Sequence, residues 1–199
     1  MKKELLSMSL AELEEFVVQL GQPKFRGKQI YGWLQKGVET FDGMVNIPKN
    51  LRELLDEHSY IGAVKISEKF VSAIDETRKY LLKLSDGNFI EAVLMKYEYG
   101  YTICISSQVG CLMGCKFCAS TIGGKVRDLL PGELLSQIIC VQKDLGQRIS
   151  NVVMMGIGEP FDNFDNVVRF IGLVNAPEGL NIGQRHISIS TCGVVPKIR

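Results

Sequence analysis

Long uncharged apolar runs are missing from this chain of 199 residues, of which 46% are hydrophobic and 23% are charged. A membrane-spanning helix needs about 20 mostly apolar residues, so no such helix is predicted. Residues 1–6 carry two lysines and no long apolar stretch, so no secretory signal peptide is expected. These absences favour a globular protein of the reducing cytoplasm, with room for one domain and a smaller appendage.

The net charge is also small, at +1, and the chain has only two histidines, His58 and His186. A near-neutral charge neither excludes nor favours nucleic acid, because a binding protein can carry only a local basic patch. Two distant histidines offer little to a mixed Cys–His zinc site. The chain has instead six cysteines, which without a secretory signal indicate metal or redox chemistry rather than a disulfide framework.

Three of the cysteines, Cys111, Cys115 and Cys118, have the spacing C-x3-C-x2-C. Iron–sulfur cubanes are held by cysteine thiolates, normally four of them. Three thiolates leave one iron open to a substrate, so the spacing predicts a reactive 4Fe–4S cluster. This spacing is typical of radical S-adenosylmethionine (SAM) enzymes, in which the amino and carboxylate groups of SAM bind the open iron.

Two other interpretations of the cysteines are a structural zinc knuckle and thiols packed in a core. Zinc takes four ligands, typically in C-x2-C pairs, and Cys115 and Cys118 are the only such pair in the sequence. Cys140 is expected to be a small core residue of a helix. Cys192 is left undecided, with a packed thiol at a strand end as the default.

Residues 1–58 are predicted to be helical, and Ser9 and Glu12 form a capping box at the start of the first helix. Basic and aromatic residues in this region could bind RNA phosphates and stack on bases. A solvated basic face with its aromatic residues in the core is an equally good interpretation. These residues are Lys24, Arg26, Lys28, Tyr31, Trp33 and Lys36.

Residues 59–99 favour strands, with a hairpin turn at Asp86-Gly87. Residues 100–199 then alternate between strands and helices, which predicts an α/β fold with a parallel sheet and helices outside it. Ligands gather at the carboxyl ends of parallel strands. The loops at 111–118, 156–160 and 190–193 each follow a predicted strand, so we expect them to converge on one site.

The loop Gly156-Ile-Gly-Glu-Pro160 combines glycines with a carboxylate. Gly158 would let a ligand approach the backbone, and Glu159 could accept hydrogen bonds from a ligand ammonium. Ser190 could bind a ribose or carboxylate. A tight strand-to-helix turn and a capping serine are the simpler interpretations, but the position one βα unit after the cysteine loop favours a SAM site.

Three longer motifs, at residues 104–120, 151–160 and 188–196, resemble the RlmN/Cfr family of radical SAM RNA adenine methyltransferases. The resemblance covers essentially the whole chain, and the Glu-Pro after Gly158 is similar to the RlmN branch. It implies a partial (β/α) radical SAM barrel over residues 100–199. A helical RNA-binding-like domain over 1–58 and a short antiparallel β segment over 59–99 would precede it.

The implied activity is methylation of adenosine carbon 2, in the peptidyl-transferase centre of 23S rRNA and in tRNA beside the anticodon. Such an aromatic C–H is not a nucleophile, so a cofactor must supply radical chemistry. In the family, one SAM methylates a cysteine near the C-terminus. A second SAM yields a 5′-deoxyadenosyl radical that takes hydrogen from this methyl group. The carbon radical adds to adenine, a base removes the ring proton, and another cysteine resolves the protein–RNA bond by forming a disulfide.

Eight positions match functional residues of that family. They are Cys111, Cys115 and Cys118 for the cluster, Gly158, Glu159 and Ser190 for SAM, Glu91 for the base and Cys104 for the resolving cysteine. From the residues alone, Glu91 could simply mark a solvent face and Cys104 could be a buried thiol.

The methyl-carrying cysteine would lie beyond Arg199. We therefore expect a truncated chain that holds the cluster but does not complete a turnover. The implied partners are 23S rRNA, tRNA and an electron donor such as flavodoxin, with a monomer that binds no membrane. A non-catalytic RNA-binding protein with a structural metal site and a Cfr-like carbon 8 methyltransferase remain the alternatives.

Overall fold

The computed structural model describes residues 2–198, and a six-stranded mixed sheet is its largest element. The helices are α1 (Leu10–Gln19), α2 (Phe25–Gln35), α3 (Lys49–His58), α4 (Pro131–Leu145), α5 (Phe164–Asn175) and α6 (Val195–Ile198). The strands are β1 (Lys3–Glu4), β2 (Ser59–Tyr60), β3 (Lys65–Val71), β4 (Arg78–Lys83), β5 (Phe89–Tyr97), β6 (Gly100–Cys104), β7 (Gln108–Gly110), β8 (Lys125–Asp128), β9 (Ile149–Met154) and β10 (Ile187–Ile189). Within the described residues, no helix has the length and apolarity needed to cross a membrane.

The N-terminal region contains the three predicted helices α1, α2 and α3. The capping box is confirmed, since the Glu12 carboxylate accepts a 2.8 Å hydrogen bond from the Ser9 amide and the Ser9 hydroxyl accepts one from the Glu12 amide. A feature that was not predicted is the parallel pairing of β1 with β2, which brackets the three helices. Tyr31 is only 3% exposed, so the suggestion that it could stack on RNA bases is wrong.

The main sheet has the order β10-β9-β6-β5-β4-β3. Strands β10, β9 and β6 are parallel, and β6, β5, β4 and β3 are antiparallel. The β4–β5 hairpin has the expected turn, where Gly87 adopts a φ of +88° that favours glycine. Strands β3, β4 and β5 therefore extend the same sheet as the following β/α units, whereas β2 pairs with β1. The domain boundaries themselves stay a prediction.

The two faces of this sheet have opposite characters because side chains alternate along each strand. One face is fully buried and forms a single apolar cluster with α4 and α5. Its members include Ile90, Ala92, Leu94, Ile103, Ile105, Val152 and Met154. The opposite face is half-exposed and includes Glu91, Val93, Cys104 and Val153. This second face is the one that a closed barrel would enclose.

Polar contacts join the N-terminal region to the helices behind the sheet. The Ser7 hydroxyl accepts a 2.8 Å hydrogen bond from the Gly132 amide at the start of α4, and Arg169 of α5 donates to the Ser7 carbonyl. Glu4 lies within this junction and its Oε1 has no hydrogen-bond partner. Burial raises the pKa of the Glu4 carboxyl to about 7. The junction therefore contains a carboxyl that is favoured in its protonated form.

We predict that Glu4→Gln makes folding stability less dependent on pH. A carboxyl with a folded pKa of about 7 and an ordinary value of 4.5 adds stability below pH 4.5, and that stability is lost as the pH rises through 7. The variant should therefore resist urea better than the original chain at about pH 8 and show little advantage at about pH 5. Exposed Glu98→Gln is the control, and an equal pH effect in both variants would contradict the assignment.

Candidate active site

A cavity of about 280 Å³ lies at the carboxyl end of the parallel strands. The cysteine loop, the Gly156–Glu159 loop and residues 190–192 form its walls. The structure thus brings together six of the eight candidate residues, namely Cys111, Cys115, Cys118, Gly158, Glu159 and Ser190. Larger clefts lie elsewhere, including one of about 720 Å³ in the N-terminal region. The chemistry of the lining, rather than the volume, distinguishes this site.

The cysteine loop is anchored at its base to the β7–β8 hairpin. Gly110 adopts a φ of +77°, and a Cβ there would lie 1.8 Å from the carbonyl oxygen of Gly124. The Cys111 amide donates a 3.0 Å hydrogen bond to the same oxygen, and the Cys118 amide donates to the Cys115 carbonyl. Only glycine fits position 110, so the backbone enters the loop in one defined direction.

The thiols of this loop have the donor chemistry that an iron–sulfur cluster requires. All three are free, and Cys111 is buried. Hydrogen bonds from the Ser120 side chain and backbone hold the pKa of Cys118 below its ordinary value, which favours the thiolate that binds iron. In residues 2–198, no three Cys, His, Asp or Glu side chains converge on one point that a metal ion could occupy. In a cubane each cysteine binds a different iron, so its thiols surround a volume rather than a point.

Glu159 presents an ionised carboxylate to the cavity although it is only 4% exposed. Its Oε1 accepts a hydrogen bond from the Phe161 amide at 2.9 Å and its Oε2 accepts one from the Cys192 amide at 2.8 Å. Burial acts to raise its pKa, but these hydrogen bonds outweigh burial and hold the pKa below its ordinary value. The side chains of Thr191 and Cys192 also donate to this carboxylate, which accounts for the roughly four hydrogen bonds that a carboxylate can accept. A ligand ammonium would therefore take the place of one of these donors.

Gly156 and Gly158 let the Glu159 loop lie directly on the backbone that leaves β6. A Cβ at Gly156 would be 2.7 Å from the Ile105 carbonyl oxygen. A Cβ at Gly158 would be 2.7 Å from the Gln108 amide nitrogen, and this residue also has a φ of +106°. Because no other residue fits without displacement, the glycines set the distance between the two loops.

Gln108 is a structural residue of this site to which the sequence analysis assigned no role. It is fully buried, and its Oε1 accepts a 2.9 Å hydrogen bond from the Glu159 amide. Its Nε2 donates to Asp128 on β8 and to Asp162 after the glutamate loop. The amide therefore links three segments that are far apart in sequence. Its place within the motif at residues 104–120 was the signal that the sequence offered.

Cys192 also lies on the cavity wall, and the default expectation of a packed thiol is wrong because the residue is exposed. Its thiol is hydrogen-bonded to the Glu159 carboxylate, and this bond, followed by burial, raises the pKa of the thiol to about 11. The thiol is therefore protonated and donates to the carboxylate. The structure adds a fourth cysteine to the three of the motif.

Glu91 and Cys104 do not line this cavity but lie on the half-exposed face of the sheet. Cys104 pairs with Val93, two residues from Glu91, so both side chains occupy the same face of adjacent strands. The Glu91 carboxylate forms a 2.7 Å ion pair with Lys79. Burial raises the pKa of the Cys104 thiol, whose sulfur accepts a hydrogen bond from the Met155 amide at the cavity edge. Cys104 thus adjoins the cavity, and Glu91 is one strand further away.

Known protein families and known structures are similar to this chain. Residues 3–61 match the ribosomal RNA large subunit methyltransferase N-terminal domain, and residues 105–199 match the radical SAM superfamily. A probable dual-specificity RNA methyltransferase RlmN from Alkaliphilus oremlandii is 54% identical over 198 residues, which cover 100% of this chain and 58% of the relative. The chain belongs to the RlmN family.

A second curated RlmN, from Clostridium beijerinckii, is 57% identical over 194 residues that cover 98% of this chain and 55% of the relative. A crystal structure of a radical SAM methyltransferase from Sphaerobacter thermophilus superposes with a TM-score of 0.91 at 37% identity, covering 98% of this chain and 59% of that one. The α/β class and the partial radical SAM barrel are confirmed. Family membership implies a 4Fe–4S cluster and SAM as cofactors. The chain spans a little over half the length of these relatives.

We predict that Gly156→Ala and Gly158→Ala both destabilise the folded chain by displacing the glutamate loop. The Gly158 variant should lose more, since backbone strain of roughly 1–3 kcal/mol adds to the steric clash. Gly123→Ala is the matched control because a Cβ there meets no atom within 4 Å. Urea unfolding measures the effect, and equal midpoints for all three variants would show that the loops are not in close contact.

Proposed function

We propose that this chain is the cluster-binding part of a radical SAM RNA methyltransferase. The reaction is methyl transfer to carbon 2 of adenosine in 23S rRNA and in tRNA beside the anticodon, by way of a methylated cysteine that lies outside residues 1–199. The main support is one cavity that combines three free thiols, a buried carboxylate and a glycine backbone in a member of the RlmN family.

Cys111, Cys115 and Cys118 would bind three irons of the cluster. When bound, the 4Fe–4S cluster supplies the electron that cleaves SAM and starts radical chemistry. Glu159 would hold the SAM ammonium in place of the side-chain donors Thr191 or Cys192, and Gly158 would leave space beside the backbone. Ser190, on the facing wall of the cavity, would bind the ribose or carboxylate of SAM.

Glu91 would remove the ring proton, and Cys104 would resolve the protein–RNA bond. Both lie on the face that a closed barrel encloses, where the target adenine must enter. Burial raises the pKa of the Cys104 thiol. Its sulfur would form a disulfide with the methyl-carrying cysteine, and the bond between that cysteine and the methylated RNA would break.

Helix α2 supplies the surface that we propose for RNA contact. Phe25 is 55% exposed, with the Arg26 guanidinium 4.8 Å from its ring centre. Lys28 and Lys36 are exposed on the same helix or at its end. An exposed ring beside cations suits base stacking and phosphate binding.

A cytoplasmic location, a monomeric state and a donor such as flavodoxin complete the proposal. All six cysteines are free, as expected in a reducing compartment. An RNA-modifying enzyme would meet its substrates there. The external donor is proposed from the resemblance to the RlmN/Cfr family.

A structural zinc site is the competing function because four cysteines line the cavity, although among the described residues no three of them converge on the single point that a zinc ion needs. Iron content separates the two. Anaerobic reconstitution should give a brown protein with about four irons per chain, as one cubane requires. We predict that Cys115→Ala loses most of this iron, while Cys140→Ala, whose cysteine lies in α4 outside the cavity, keeps it. Full iron loading of Cys115→Ala, or one zinc in a colourless protein, would refute the assignment.

We further predict that both Cys104→Ala and Glu91→Gln accumulate a covalent protein–RNA adduct in the protein extended to full length. The adduct forms before the resolving thiol acts, and it persists if the ring proton cannot leave. Denaturing gels with labelled RNA measure the adduct, and mass mapping of released nucleoside distinguishes carbon 2 from carbon 8. Cys140→Ala and Glu98→Gln serve as controls. Release of methylated RNA at the normal rate by both variants would make Glu91 and Cys104 structural residues.

A further inference from the structure

Four cysteines, rather than the three of the motif, surround the candidate cavity. Cys192 reaches it from the loop after β10 and lines the same cavity as Cys115. The other two free cysteines, Cys104 and Cys140, do not line the cavity. Among the described residues, Cys192 is therefore the one additional thiol that lines the cavity of the proposed cluster.

A cubane bound by three cysteines has one iron without a protein ligand. Iron in such clusters prefers soft sulfur donors to oxygen or nitrogen. When SAM is absent, a free thiol on the wall of the same cavity competes well with water for that iron. To reach the iron, the Cys192 side chain must be able to move. The neighbouring Gly193 has a φ of +99° and open space around its Cα, so the backbone at this point is not held by close packing.

We propose that Cys192 binds the fourth iron of the cluster when SAM is absent and that SAM must displace it. This inference rests on the proposed function, because it requires a cluster on Cys111, Cys115 and Cys118. On binding, the thiol gives its proton to water and its sulfur bonds to iron. When the amino and carboxylate groups of SAM arrive, the iron–sulfur bond breaks and the thiol regains a proton from water.

Glu159 is a second group for which Cys192 and SAM compete. Its carboxylate accepts hydrogen bonds from both the amide and the thiol of Cys192. The same carboxylate would hold the ammonium of SAM. Cys192 and SAM therefore compete for the open iron, and once SAM has displaced the thiol, the reprotonated thiol and the SAM ammonium compete for Glu159. When a protein group occupies a ligand's site, the apparent affinity for the ligand falls. It is the intrinsic affinity multiplied by the fraction of time for which the site is free.

The test compares the chain with Cys192→Ala, Cys192→Ser and the control Cys140→Ala, all reconstituted anaerobically without SAM. Limited oxidation by ferricyanide removes an iron that lacks a thiolate ligand and leaves a three-iron cluster with its own electron paramagnetic resonance signal. We expect the original chain and Cys140→Ala to keep four irons under conditions in which both Cys192 variants lose one.

Equilibrium dialysis of labelled SAM provides the second measurement. If Cys192 occupies the iron for nine tenths of the time, both variants should bind SAM about tenfold more tightly than the original chain. The serine variant separates two roles, because its hydroxyl can still donate to Glu159 but is a poor ligand for iron. If Cys192→Ser bound SAM with the same affinity as the original chain, Cys192 would act only as a hydrogen-bond donor. That result would overturn the proposal.

The measured iron content and SAM affinity separate the role of Cys192 from the presence of the cluster. Equal iron loss and equal SAM affinity in all four proteins, with a cluster that still depends on Cys115, would refute the role of Cys192 and leave the function intact. No iron in any of the proteins would refute both. One zinc per chain, lost in Cys192→Ala, would make Cys192 a zinc ligand and likewise overturn the cluster proposal.

Discussion

The contact between the glutamate loop and the backbone that leaves β6 determines the geometry of the whole site. Gly156 and Gly158 allow two main chains to touch, and Gln108 closes the contact with a hydrogen bond to the Glu159 amide. A buried amide with all its polar groups bonded holds one arrangement, because any displacement leaves polar groups unpaired. The positions of the carboxylate and of the cysteine loop both follow from this junction.

The sheet supplies the other requirement, a rigid support with one face free. Its buried face packs on α4 and α5 in a continuous apolar core, while its other face keeps Glu91 and Cys104 accessible. Alternation along each strand produces this division without any special residue. Groups that act on cofactor and groups that act on substrate can thus occupy the edge and the face of one sheet.

Local patterns were readable from the sequence, and long-range partners were not. The capping box at Ser9, the turn at Gly87 and the cysteine spacing depend on neighbours a few residues apart, and each appears where it was expected. The continuity of β3–β5 with the β/α units depends on strand pairing, which no local pattern encodes. Gln108 and Cys192 gain their importance only from contacts with Glu159, which is 51 and 33 residues away respectively. The roles of the eight candidate residues still depend on the resemblance and the proposed experiments.

The two edges of the main sheet differ in their capacity to accept another strand. Among the described residues, β3 and β10 each pair with one neighbour, so each presents unpaired backbone groups. The β3 edge carries Lys65 and Lys69, charges that discourage strand addition, whereas β10 consists of Ile187, Ser188 and Ile189. Addition of a strand is therefore favoured at the β10 edge and disfavoured at the β3 edge. A new strand, whether from the same barrel or from an aggregating copy, would find its template beside β10.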